Sequence, residues 1–190
     1  MKISAMLLPL TLALVTAIAA AAGSSTTTHR DYALAEGVVL RLDVPDAWQG
    51  GLAAPVGEMG MPTVQFGSEI NPRFHVVLMP VPLLDPSDAK DTVRQAAAEF
   101  GKQSTESNPS IFSFSGDHGS GWYFTVTDKQ FADSKIVPGP GEYKYLTQGT
   151  LQLGKQSIVF VIFTNDDSRD IEAPAFTMVK KAVVRESSSS

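Results

Sequence analysis

The chain contains no cysteine among its 190 residues. Without a thiol it can form neither a disulfide bond nor a thiolate metal site, and it offers no cysteine for a lipid anchor. The fold must therefore be stabilised by side-chain packing and hydrogen bonds alone. With 43% hydrophobic residues, the chain has enough apolar side chains for one core of ordinary size.

Positive charge is also scarce. The chain has 15 Lys and Arg against 20 Asp and Glu, so its net charge is −5 and its isoelectric point is about 5.1. Proteins that bind nucleic acid or an anionic membrane surface through charge need an excess of cations. The charge balance therefore gives no support to a nucleic-acid partner or to membrane-surface binding.

The N-terminus has the layout of a cleaved secretory signal peptide. Lys2 supplies a positive charge, Leu7 to Ile18 form an apolar run, and Ala20-Ala21-Ala22 offers a small-residue cleavage site. The apolar run is short for a membrane-spanning helix, and no stop-transfer cluster follows it. Residues 1–22 are therefore predicted to be removed on export, which leaves a periplasmic or secreted protein without a membrane-inserted segment.

Polar low-complexity segments flank the rest of the chain. Residues 23–32 include the run SSTTT and are predicted to form a disordered linker, which leaves His29 solvated, and residues 187–190 form a matching serine tail. Neither segment can bury apolar surface. Residues 33–186, between them, are predicted to form a single domain.

The hydrophobic pattern predicts seven strands and two helices in the order βββαββββα. The first helix begins at Asp85 and Pro86, with Gly101 as a left-handed C-cap, and the second runs from near Glu172 through Arg185. The predicted strands are residues 38–44, 63–67, 74–79, 111–115 and 121–127 and the two strands of a hairpin, 143–164.

The hairpin of residues 143–164 is the centre of the predicted fold. Gly154-Lys155 joins its strands, because glycine permits the positive φ of a tight turn. In the second strand, residues 158–163 are apolar on both faces. A strand of this kind must be covered on both sides, so it is predicted to lie in the middle of a sheet. The fold class is therefore α+β, with an antiparallel sheet sandwiched by helices.

Three sequence blocks resemble bacterial secreted proteins with the PsbP-like fold. They are LDVPDAW, GWYFTVTDKQ and PGPGEYKYLTQGTLQLGKQSIVFVIFTND. The resemblance covers about residues 33–185 and implies an antiparallel sheet sandwiched by helices, a fold that also occurs in a Ran-binding nuclear import factor. It implies no shared active site, since the better-known members act as accessory or binding modules of larger assemblies.

A glycine-flanked turn contains the residues best suited to metal or acid–base chemistry. Asp117 and His118 could expose a carboxylate and an imidazole together, with Ser120 close by in sequence. An ordinary hairpin turn uses the same residue types, however, and no further ligands follow at a useful spacing. A metal site at Asp117 and His118, or a small hydrolase using this turn, remains an alternative. No catalytic residue and no cofactor are assigned.

The long loop before the central hairpin is the preferred binding region. Long loops on a rigid sheet often carry recognition, and this one ends in two tyrosines. Lys129, Tyr143, Lys144 and Tyr145 are the predicted binding residues. The alternatives are that the lysines belong to a solvated charged surface and that the two tyrosines pack beneath a helix. The leading hypothesis is a non-catalytic binding or accessory protein that contacts an unidentified envelope protein. The alternatives are a small periplasmic hydrolase and a metal or small-molecule binding protein.

Overall fold

The computed structural model describes residues 26–35, 37–53, 62–67, 73–82, 84–133 and 135–186. The predicted signal peptide (residues 1–22) and the serine tail (residues 187–190) lie outside the described residues, as does the start of the predicted linker.

The described part of the chain contains ten strands, two α-helices and two 3₁₀ turns. The strands are β1 (Thr27–Ala35), β2 (Val38–Pro45), β3 (Gly50–Ala53), β4 (Thr63–Gly67), β5 (Phe74–Pro82), β6 (Phe112–Ser115), β7 (Ser120–Thr127), β8 (Tyr145–Leu153), β9 (Gln156–Thr164) and β10 (Val183–Glu186). The helices are α1 (Pro86–Gly101) and α2 (Glu172–Lys180), and the 3₁₀ turns are Lys129–Phe131 and Asp166–Ile171.

Two antiparallel sheets make up the fold. The larger has seven strands in the order β3-β4-β5-β9-β8-β7-β6, and the smaller has the order β1-β2-β10. Helix α1 packs on β7 and β8, whereas α2 packs on β9 and on β2 of the small sheet. The predicted α+β class is confirmed, with three strands and a second sheet that the pattern did not show.

The predicted linker is a strand from Thr27 onward. Strand β1 pairs with β2 along its whole length, and Asp31 accepts two hydrogen bonds of 2.6 Å from the Arg41 guanidinium. Tyr32 and Leu34 are buried in the main core. The prediction of disorder for residues 27–32 was therefore wrong, because a distant partner strand provides the burial that the local composition does not suggest.

The central hairpin is confirmed. Strands β8 and β9 pair from Tyr145↔Thr164 to Leu153↔Gln156, and Gly154 in the turn between them has φ 58°. That angle lies in the left-handed region that glycine occupies without strain. Strand β9 is the fourth of seven strands, with β5 on one side and β8 on the other.

The two faces of β9 are covered unequally. Ile158, Phe160 and Ile162 are fully buried against α2 and the small sheet. Val161 and Phe163, on the opposite face, are only half-buried, because α1 lies over β7 and β8 rather than over β9. The sheet face that carries these two residues therefore has open space next to α1.

Helix α1 begins where the sequence predicts. Asp85 caps it by accepting a hydrogen bond of 3.0 Å from the Ser87 backbone N–H, and Pro86 begins the first turn. Val93 and Ala97 are buried on the sheet, where they meet the side chains of β7 and β8. The helix thereby forms one wall of the open space beside β9.

Candidate functional site

A single row of directly opposed residues crosses five strands at the open end of the sheet. The row consists of Gly67 in β4, His75 in β5, Phe163 in β9, Leu146 in β8 and Val126 in β7, and each residue lies directly opposite the next one on the neighbouring strand. Side chains that face one another across an antiparallel pair lie close enough to touch. The row therefore provides a continuous floor beneath the long loop.

The long loop, residues 128–145, is closed at its base. The Asp128 backbone N–H donates a 2.8 Å hydrogen bond to the Lys144 carbonyl, so the two ends of the loop meet at the edge of the floor. Tyr143 then turns onto the sheet, and its ring lies 5.1 Å from that of Phe163. Burial raises the pKa of the Tyr143 hydroxyl, which keeps it a neutral hydrogen-bonding group at physiological pH.

Two recesses lie on either side of Tyr143. The strand recess, about 430 Å³, is lined by β3, β4 and the start of β5. The helix recess, about 230 Å³, is lined by the end of α1 and by β7, β8 and β9. Gly141 and Tyr143 line both recesses, so the tyrosine stands at their common border.

The strand recess is neutral. Its polar side chains are those of Gln65, His75 and Tyr143, and no Asp, Glu, Lys or Arg lines it in the described part of the chain. Burial lowers the pKa of His75 below 6.5, so the imidazole is uncharged at pH 7. Its Nε2 lies 3.2 Å from the Gln65 Oε1, and because that oxygen can only accept, Nε2 is the donor and Nδ1 remains an acceptor.

The helix recess is more polar at its rim. Phe100 from the end of α1, exposed over 40% of its surface, forms its outer wall. Asp128 lies at the base, where its carboxylate accepts a 2.7 Å hydrogen bond from the Gln130 backbone N–H. The strand recess thus offers apolar walls and three neutral polar side chains. The helix recess adds Gln103, Ser104 and Lys144 and one carboxylate, that of Asp128.

The Lys144 ammonium and the Tyr145 hydroxyl point away from the two recesses, toward Asp166. The Lys144 ammonium donates to Asp166 Oδ2 at 2.9 Å, and only 10% of this side chain is exposed. The Tyr145 hydroxyl donates to Asp166 Oδ1 at 2.7 Å, and the Arg169 guanidinium lies 4.2 Å from its ring centre. The hydrogen bonds from Tyr145 and Lys144 lower the pKa of the Asp166 carboxyl. Both residues tie the long loop to the 3₁₀ turn that precedes α2.

Lys129 lies apart from the tyrosines. It begins the short 3₁₀ turn after β7, where it is exposed and its ammonium donates 3.2 Å to the Lys102 carbonyl. Of the four predicted binding residues, only Tyr143 lines both recesses, and Lys144 lines the helix recess alone.

The Asp117–His118 turn lies at the other end of the sheet. It precedes β7, where Ser120 faces Gln152 near the β8–β9 turn, whereas Thr127 faces Tyr145 beside the long loop. Asp117, His118 and Ser120 are all exposed, and the structure shows no hydrogen bond between their side chains. The turn and the long loop therefore lie at opposite ends of β7 and do not form a joint site.

The described residues show no group of three or more His, Asp or Glu side chains arranged to hold a metal ion. Nor does any helix within that part of the chain combine the length and the apolar character needed to cross a bilayer.

Sequence reasoning missed His75 and Phe163 as site residues. The sequence pattern places His75 within a predicted strand and Phe163 on an apolar face of the central hairpin, and it gives neither a binding role. His75 lies beside Phe163 because β5 and β9 are neighbours, although residues 83–155, 73 in all, separate the two strands in sequence. The signal that could have found them is the apolar second face of β9, which needed a cover that α1 provides only in part.

Comparison with solved structures identifies the fold. The solution structure of cyanobacterial PsbP (CyanoP) from Synechocystis sp. PCC 6803 superposes with a TM-score of 0.50 at 10% identity, covering 86% of this chain and 95% of that one. The crystal structure of LpqN, involved in cell envelope biogenesis of Mycobacterium tuberculosis, gives a TM-score of 0.46 at 15% identity, covering 84% and 91%. No family model and no curated protein matches the chain.

The likeness to cyanobacterial PsbP extends over 95% of that protein. At 10% identity it is a likeness of fold. The chain has a PsbP-like fold.

Proposed function

We propose that this chain is a non-catalytic accessory protein that works outside the cytoplasm and binds a partner protein through the two recesses around Tyr143. The predicted signal peptide of residues 1–22 supports the location. The observation that carries the binding proposal is the shared border of the recesses: one aromatic side chain, half-buried on Phe163, separates two open hollows.

The geometry suits a protein surface better than a reaction. Interfaces gain most of their affinity from aromatic anchors in desolvated pockets, surrounded by a polar rim. Tyr143 is such an anchor, already ordered by Phe163, so it loses little conformational freedom on binding. Two hollows beside a fixed ring accept two apolar side chains of a partner, one on each side.

The chemistry of the partner follows from the lining. The strand recess presents the His75 Nδ1 as an acceptor and the Tyr143 hydroxyl as a donor, both neutral. A charged group placed there would lose its hydration without gaining an opposite charge. The segment that enters the strand recess is therefore an uncharged one, with an apolar side chain and a backbone amide or hydroxyl in reach of these groups.

The experiment is capture from an envelope extract of the native cell with the purified protein immobilised. We expect a partner in stoichiometric amount with the parent protein and with Lys181→Ala, an exposed control on the opposite side of the fold. Tyr143→Ala should lose the partner while retaining its circular dichroism spectrum. Tyr143→Phe should lose part of the binding, since it keeps the ring and removes the hydroxyl.

Capture that Tyr143→Ala leaves undiminished would refute the assignment to the recesses. Turnover in a broad esterase and phosphatase screen that disappears with His118→Ala would refute the non-catalytic function itself, because His118 lies at the opposite end of the sheet.

A further inference from the structure

Strand β6 is an outer strand of the large sheet, and it is uncharged. Outer strands in soluble proteins are commonly protected by charged residues, which discourage pairing with another chain. Residues 111–115, Ile-Phe-Ser-Phe-Ser, contain none. The outer strands of the small sheet differ, since β1 carries Arg30 and Asp31 and β10 carries Arg185. Strand β3, at the far side of the large sheet, runs into residues outside the described part, whereas all of residues 84–133 around β6 are described.

The alternation of hydrogen-bonded and non-hydrogen-bonded pairs in the β6–β7 hairpin shows which backbone groups of β6 do not bond to β7. The Gly116 N–H donates to the Gly119 carbonyl at 2.8 Å, which closes the turn with a hydrogen-bonded pair. In an antiparallel ladder such pairs alternate with non-bonded ones. Phe114 therefore bonds to β7, while Ser113 and Ser115 turn their N–H and C=O groups outward. Within the described residues, neither serine has a backbone partner on that side.

The free edge has a defined end. The Asp117 N–H donates 2.8 Å to the Lys180 carbonyl at the end of α2, and a Cβ at Gly116 would lie 2.4 Å from that same oxygen. The end of α2 thus packs against the turn at Gly116 and Asp117. Phe176 of α2 packs on Phe114, with ring centres 5.0 Å apart, so α2 covers one face of β6 at that residue. Phe112 at the start of the strand and Ser113 and Ser115 on the opposite face stay exposed.

An aromatic side chain stands out beside the free edge. Phe112 is exposed over 49% of its surface, and its ring lies 5.5 Å from that of Tyr123. Tyr123 in turn lies 4.7 Å from Phe176, over which the Lys180 ammonium sits at 4.8 Å. The edge therefore combines unpaired backbone groups with an apolar surface that is already ordered on its inner side.

We propose that β6 pairs antiparallel with β6 of a second copy of this chain, about a two-fold axis at Phe114, joining two large sheets into one. In this register Ser113 faces Ser115 of the second copy, and the reverse, so the outward groups of both serines form four backbone hydrogen bonds. Phe112 of each copy then lies opposite Gly116 of the other, next to the Lys180 carbonyl that already packs against that glycine.

A second copy fits this edge because the edge is complementary to itself. The outward groups of Ser113 and Ser115 alternate in the spacing that an identical antiparallel strand matches, and no like charges face one another across the axis. The Asp117 N–H is bonded to the Lys180 carbonyl at the end of α2, so a second strand can pair only along the length of β6. An identical strand meets that condition by symmetry.

The dimer is expected to be weak. Four paired residues bury less than the roughly 1,000 Å² of a stable interface, so we expect a dissociation constant of about 0.1 to 1 mM. Sedimentation equilibrium over a concentration series up to about 1 mM should show a reversible rise from the monomer toward the dimer mass.

Ser113→Lys should abolish that rise, because it places like charges at the paired edge. Ala173→Lys, exposed on α2, adds the same charge elsewhere and should leave the association unchanged. Both variants should melt within about 2 °C of the parent, since surface substitutions of this kind change stability little. A monomer throughout the series, or equal loss in both variants, would overturn the proposal.

The register can be tested separately because the chain contains no cysteine. Ser113→Cys and Ser115→Cys, mixed and oxidised, should form a mixed disulfide several-fold faster than either variant forms a disulfide alone, since only unlike positions face each other. Ala173→Cys, mixed with either variant, supplies the background rate. Mixed cross-linking no faster than that background would refute the two-fold pairing at Phe114, even if the protein associates.

Discussion

Replacing Phe160 with alanine is the sharpest test of the sheet order. Phe160 lies in β9, the middle strand of the large sheet, and it has no exposed surface. Its ring is 5.9 Å from both Phe114 and Phe176. On the adjacent strand it faces Gly149, where a Cβ would lie only 2.5 Å from the ring. The phenylalanine therefore fills the space that the glycine leaves.

The expected cost follows from this packing. A buried Phe→Ala substitution lowers the free energy of unfolding by about 3–5 kcal/mol, the larger values applying where the surroundings cannot close the cavity. Here closure is hindered, because Gly149 has no side chain to move inward and the two neighbouring rings belong to a strand and a helix held by other contacts. We expect a loss of about 4–5 kcal/mol. In a domain of this size that corresponds to a fall of roughly 8–20 °C in melting temperature.

Urea unfolding followed by tryptophan fluorescence measures the change, with the m-value checked for constancy. Phe160→Leu should cost less than half as much, since it retains most of the buried volume. Phe112→Ala, the same substitution at a half-exposed site on β6, is the matched control and should cost about 1 kcal/mol or less. A loss below about 1 kcal/mol for Phe160→Ala would show that β9 is not the central strand.

Other outcomes can be checked with simple measurements. Gly149→Ala should cost more than about 2 kcal/mol, because its Cβ would lie 2.3 Å from a carbonyl oxygen of β7, and thermal unfolding will show this. Burial lowers the pKa of His75, so the unfolded chain takes up a proton that the folded protein resists. Stability present above pH 6.5 should therefore fall below it, and His75→Gln should flatten the profile of melting temperature against pH. Asp166→Asn should lower the melting temperature at neutral pH, because it removes the carboxylate that pairs with the largely buried Lys144 ammonium; Asp167→Asn, exposed on the same turn, is its control. Mass spectrometry of the protein from its native envelope should find a chain that begins near Gly23, and an intact N-terminus would contradict the predicted export.

Strands with a clear two-residue alternation were predictable from the sequence. Strands β2, β4, β5 and β7 and the central hairpin lie where the pattern placed them, because each carries enough apolar residues to define its buried face. Strands β1, β3 and β10 were missed. Their sequences are polar, glycine-rich or very short, and they are strands because distant partners pair with them.

The end of the last helix shows how tertiary pairing overrides a helical pattern. The sequence predicted a helix through Arg185, but α2 ends at Lys180 and Val183 begins β10. Val183 and Val184 pair with Arg41 and Leu40 of β2, where β-branched side chains pack well.

Gly101 was expected to end α1 in a left-handed conformation. It is instead the last helical residue, and its lack of a side chain admits the Ser107 carbonyl, which would lie 2.8 Å from a Cβ. The glycine was correctly marked as special, but the close approach of a later segment is a fact of tertiary structure that local sequence does not contain.

The candidate site was predictable in part for a similar reason. The long loop and Tyr143 could be found from loop length and residue type. The direction of Lys144 could not, because its partner Asp166 follows β9, 22 residues later. A lysine at a loop end is usually exposed, and only the pairing of β8 with β9 brings an acid within its reach.

The pairing of β10 with β2 has a consequence for how the chain acquires its structure. Residues 38–41 form their ladder with residues 183–186, so the small sheet closes a loop that spans almost the whole domain. Such distant contacts lose much chain entropy before they gain any stability, and they slow folding. The small sheet contributes Leu40 and Leu42 of β2 to the main core. That core therefore stays incomplete until β10, the last strand, has left the ribosome. If residues 1–22 direct export as proposed, this arrangement keeps the chain unfolded during most of its synthesis, which is the state that a translocon can thread.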